Sequence, residues 1–166
     1  MYTTYPVYYP SARWARENDE IELWRESYKI NNECRDFING NAGKAHHNEE
    51  LPGFIKELTD AFGVERAMYV IARTIVGADW DRRYYNDVRS RAESFPFQDM
   101  EEAAQLRENG QDPYRTADKT AYLCSDVHPV MLNAIFRCLM KMEQEQVNLP
   151  QAEADRSSEL DEGAEI

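Results

Sequence analysis

The sequence predicts a mostly α fold. A single helical domain of about five or six helices spans residues 11–148, between an extended Tyr/Pro-rich arm (1–10) and a disordered acidic tail (149–166). Three observations predict it. Apolar residues recur at steps of three, four or seven, the period of an amphipathic helix. Glycine and proline stand at the joints between these stretches, where helices stop and start. Apolar and aromatic residues make up 42% of 166 residues, enough for one core without a disulfide or metal staple.

The arm holds Tyr2, Tyr5, Tyr8 and Tyr9 with Pro6 and Pro10, and proline at that spacing favours an extended chain. Ser11 stands as an N-cap, and one long helix is predicted to about Ile38 on the apolar line Trp14, Ile21, Trp24, Tyr28, Cys34 and Ile38. Asn31 falls on that line and is read as a boundary asparagine, with a register-fixing buried amide as the alternative. Asn39 to Glu50 has the composition of a loop.

Pro52 opens a short helix with Phe54, Ile55, Leu58, Ala61 and Phe62 on one face, and Gly63 ends it by accepting positive φ. A third helix, Val64 to Val76, is the most apolar and is expected at the centre, with Gly77 as its stop. A turn at Ala78–Asp81 leads to a short helix over Tyr85–Ser94. Asp99 and Glu102 have capping-box spacing at the start of a peripheral helix. A polar linker and an extended piece, Ala121–Cys124, precede the final helix, Pro129 to about Gln146, which packs through Leu132, Ile135, Phe136, Leu139 and Met142. Proline is favoured at its first position because the missing N–H is not needed there.

Composition narrows the function classes. Cys34, Cys124 and Cys138 are an odd set inside apolar stretches, which fits small hydrophobes in a reducing compartment. The N-terminus lacks the basic and apolar regions of a signal peptide, and no run approaches the roughly 18 apolar residues of a membrane span. A cytoplasmic location is expected. Of the net charge of −12, residues 143–166 contribute −7 (eight acids, one arginine), leaving −5 for the rest. Such acidity repels nucleic acid unless a local basic patch overrides it.

Recognisable reaction chemistry is sparse. His46, His47 and His128 have no helical i, i+4 spacing, and neither CxxC nor HExxH occurs, so no metal site is predicted. Cys124 or Cys34 with His128 is the one nucleophile–base pair to weigh, but only Asp126 could orient the imidazole and no glycines offer an oxyanion hole. A buried cysteine and a capping histidine explain these residues more simply. The glycines form no phosphate-binding pattern, and no cofactor is expected.

The strongest local feature is Trp80-Asp81-Arg82-Arg83-Tyr84-Tyr85, followed by Arg89. From Glu65 to Arg91 six arginines face four acids, and aromatics are interleaved with them. Arginine, tryptophan and tyrosine are enriched at interface hot spots and in nucleic-acid contacts. These seven residues, with Tyr8 and Tyr9 of the arm, are the predicted partner-binding set. The structural alternative is a turn whose guanidinium groups pair with local carboxylates while Trp80 plugs the core.

The stretches YPVYYPSARWARENDEIELWRESYKINNECRDFI, FGVERAMYVIARTIVGADWDRRYYNDVRSRA and CSDVHPVMLNAIF resemble a bacterial family, domain of unknown function 3849, over residues 5–140. The family usually carries glycine after the turn aspartate, where this chain has Arg82. The resemblance implies a setting in phages and mobile elements of gut Firmicutes, where small acidic proteins often inhibit host defence, CRISPR nucleases included. The resulting expectation is a non-enzymatic inhibitor that binds a Cas9–guide RNA complex and blocks DNA binding or cleavage. The alternative is a nucleic-acid-associated accessory module of conjugation or replication, contacting DNA through the Arg66–Arg91 face.

Overall fold

The computed structural model describes residues 12–45, 49–97, 101, 104–105, 108–109 and 123–146. They form a helical domain with no strand among the described residues. Five helices are α1 (Ala12–Glu17), α2 (Ile21–Asn41), α3 (Leu51–Phe62), α4 (Val64–Gly77) and α5 (Asn86–Ser94). Residues 129–146 form a further helix, α6, and residues 101, 104, 105 and 108 are helical as well. The arm, the acidic tail, the capping-box pair and the polar linker of the sequence reading lie outside the described residues.

The long first helix is predicted as continuous and is in fact two. After Glu17 the chain turns at Asp19, whose φ is 58°. The Glu20 N–H reaches the Ala15 carbonyl at 2.7 Å, and the Asp19 N–H reaches that of Arg16 at 3.3 Å. This paired bonding is a Schellman termination, with aspartate in the left-handed position that glycine usually fills. The Asn18 side chain adds a bond to the Trp14 carbonyl at 2.8 Å. Hydrophobic period alone does not register such a stop, because the apolar line continues in phase across it.

A second correction lies at the other end of α2. The composition predicts a loop from Asn39, but α2 continues through Asn41 and a 3-10 turn follows over Ala42–Ala45. Gly63 divides α3 from α4 with φ 84° and ψ 157°, a region essentially reserved for glycine.

α4 is the central helix, as its composition predicts. Ten of its residues are buried, Arg66 among them. Arg66 donates to Asn31 and Ser27 in the first half of α2, and Thr74 near the other end of α4 accepts from the Cys124 N–H at 3.1 Å. The segment carrying Cys124 is itself tied to Asn39 on α2, through the Leu123 carbonyl and the Asp126 N–H, both at 3.3 Å. So α2 and α4 run in the same direction and α3 returns between them. Asn31 is therefore a buried mid-helix residue that fixes register against α4, not a boundary asparagine.

Leu132, Ile135, Phe136 and Leu139 of α6 are fully buried and join the same core cluster as α2–α5. His128 caps this helix, its Nδ1 accepting from the Val130 N–H at 3.1 Å. Arg91 of α5 and Glu143 of α6 pair with little exposure, 14% and 23%. No described helix is long and apolar enough to cross a membrane.

Candidate functional site

Between α4 and α5 the chain makes an eight-residue turn, 78–85, in which the Asp81 N–H donates to the Ala78 carbonyl at 2.9 Å. Side chains add to that support. Asp81 is short and acidic, and its carboxylate reaches two residues ahead, the habit that places aspartate in turns. Oδ1 accepts the Arg83 backbone N–H at 3.0 Å and its Nε at 2.9 Å, while Oδ2 accepts Nη2 at 2.8 Å. These bonds hold the Asp81 carboxyl down at about 2.

Two helices pin the same turn from outside it. Arg89, one turn into α5, donates to the Asp79 carbonyl at 2.7 Å and also to the Asp81 carbonyl. Asn133 of α6 is fully buried; its Nδ2 donates to the Arg83 carbonyl at 2.9 Å and its Oδ1 accepts the Tyr85 N–H at 3.0 Å. Donor and acceptor of one amide thus clamp both sides of Tyr84. The Tyr84 ring is buried, which pushes its phenol up to about 12.

Two side chains of this hydrogen-bonded turn face solvent without such duties. Trp80 is 75% exposed, the most open of the large apolar residues described, and does not plug the core. Arg82 is exposed beside it. Next to them Tyr85 is half-covered by Arg137, whose guanidinium carbon lies 4.2 Å from the ring centroid. Arg137 also makes a two-pronged pair with Asp87, at 3.0 and 2.8 Å, which lowers the Asp87 carboxyl below its usual range. The surface is therefore an indole and a guanidinium on a braced platform, with a tyrosine–arginine stack at its edge.

The predicted partner-binding set separates accordingly. Trp80, Arg82 and Tyr85 are exposed. Arg83 is half-exposed and bound to Asp81. Asp81 and Tyr84 are buried, and Arg89 is engaged with backbone carbonyls, so these three position the turn. Tyr8 and Tyr9 lie outside the described residues.

The arginines of the predicted face are not all at the surface, although Arg82 is exposed and Arg83 half-exposed. Arg66 is 2% exposed inside the core, and Arg91 is held by Glu143, by Ser94 at 2.8 Å and by the ring of Phe95. Cys124 and His128 have different surroundings. Cys124 is buried and its thiol is pushed up to about 12 by that burial, while the exposed His128 uses Nδ1 to cap α6. Burial raises the Cys34 thiol further. Among the described residues no group of three or more His, Cys, Asp or Glu side chains could hold a metal ion.

Sequence reasoning missed Asn133 and Arg137. Both sit in α6, whose apolar period says nothing of its polar residues. An amide within the apolar run Val130-Met131-Leu132-Asn133-Ala134-Ile135-Phe136 was a usable signal, since a buried amide must find partners. Which backbone it would clamp was not readable from spacing.

A family model described as Protein of unknown function (DUF3849) matches residues 7–134. The chain belongs to that family. No curated protein and no solved structure matches it.

Proposed function

We propose that this DUF3849 protein is a non-enzymatic anti-defence factor that docks onto a CRISPR nuclease, Cas9 with its guide RNA, and blocks DNA binding or cleavage. The observation that supports docking is Trp80, three-quarters exposed on a turn that Asp81, Arg89 and Asn133 hold in one shape. Burying about 150 Å² of indole at roughly 25 cal/mol per Å² gives a gross gain of about 4 kcal/mol. Because the turn is already rigid, little of that gain is lost to ordering it on contact. Arg82 adds a planar donor fork beside the indole, the pairing typical of hot spots.

The nuclease end of the reading rests on charge and on the mobile-element setting that the family resemblance implies. A chain of net charge −12 is attracted to the basic channels through which such nucleases hold nucleic acid. Direct DNA contact through the Arg66–Arg91 segment has less support, since most of those guanidinium groups are engaged within the fold. The test is a cleavage assay with Cas9–guide complex and excess protein. Inhibition that weakens with Trp80→Ala supports the reading, and unimpaired cleavage with no binding overturns it.

A further inference from the structure

We propose that the protein self-associates, Trp80 and Arg82 of one copy seating in a recess at the start of α3 of a second copy. That recess, about 420 Å³, is lined by Glu50, Gly53, Phe54 and Glu57. Phe54, nearly buried, is the apolar part of that lining, and its ring stacks on Phe37 at 6.0 Å between centroids. Gly53 leaves one wall open, with no atom within 4 Å of the place a Cβ would take. Glu50 and Glu57 stand exposed on the rim. An apolar floor between two carboxylates complements an indole with a guanidinium two residues further along the chain.

Placement favours a closed pair over an open chain. The C-terminal ends of α2 and α4 lie at one end of the molecule, and α3 begins there as well, so knob and recess share that end. A two-fold axis then lets each copy fill the other's recess, and the contact terminates at two. The net charge of −12 sets the copies against each other at long range, so the association is weak. It would also occlude the turn that docks onto a partner, making self-association and docking mutually exclusive.

Sedimentation velocity of the full chain alone tests this without any partner, so its failure leaves the docking proposal standing. The expected result is a mass rising with concentration from 19.4 kDa towards twice that value. Trp80→Ala and Gly53→Gln should each abolish the rise. The second fills the recess at a helical position where a side chain has room, so it does not endanger folding. Arg82→Glu should weaken association, and Arg82→Glu combined with Glu57→Lys should restore it. A monomer at every concentration overturns the proposal. So does a dimer that survives Trp80→Ala or Gly53→Gln, or a charge exchange that fails to rescue.

Discussion

Trp80 and Asp81 are neighbours with opposite duties, and each has its own test. Trp80 is so exposed that replacing it by alanine should leave stability within about 0.5 kcal/mol of wild type by thermal unfolding. Asp81 is buried and bonded, and its carboxyl is held near 2 in the fold against about 3.9 in an unfolded chain. A depressed carboxyl contributes stability that is complete above the unfolded value and lost as the pH falls through the folded one. Wild type should therefore lose stability faster than Asp81→Asn between about pH 5 and pH 2. Parallel acid-unfolding curves for the two would contradict the assignment. The sequence already showed the turn and its arginines, because tryptophan, aspartate and arginine in that order are conspicuous. It could not tell which would point outward. That depends on Arg89 finding the Asp79 and Asp81 carbonyls and on Asn133, 50 residues away from Arg83, supplying the matching amide.

At the scale of elements, glycine was the most legible signal and polar left-handed residues the least. Gly63 was expected to end α3 through positive φ and does so, at 84°. Gly63→Ala should cost about 1–3 kcal/mol, because a Cβ strains that backbone region, and the loss should show as a lowered Tm. Asp19 makes an equally sharp stop and went unread, since the apolar line keeps its phase through it. The buried amide of Asn31 illustrates the same limit. Its place on the apolar line was visible, but its meaning required Arg66 to arrive from α4, 35 residues on. Asn31→Leu should remove a bond to a charged donor and destabilise by about 1.5–3 kcal/mol in denaturant titration. A neutral effect would mean that Arg66 is satisfied elsewhere.

For the whole molecule, periodicity and punctuation were enough to predict a helical domain with α4 at its centre, because burying apolar stripes decides helix order and depth. The surface was less readable. Six arginines close in sequence suggested a continuous basic face, whereas folding draws Arg66 inward and ties Arg91 to Glu143 across α5 and α6. What stays exposed on the turn is Trp80 with Arg82, and the docking proposal rests on these two side chains. The direct test of that claim is titration of a Cas9–guide complex with wild-type protein and with Trp80→Ala/Arg82→Ala, reading affinity and DNA cleavage together. Hot-spot loss of at least about 2 kcal/mol predicts that the double variant binds at least about 30-fold more weakly and releases cleavage. Equal binding and equal inhibition by the two proteins, or no binding by either, would contradict it.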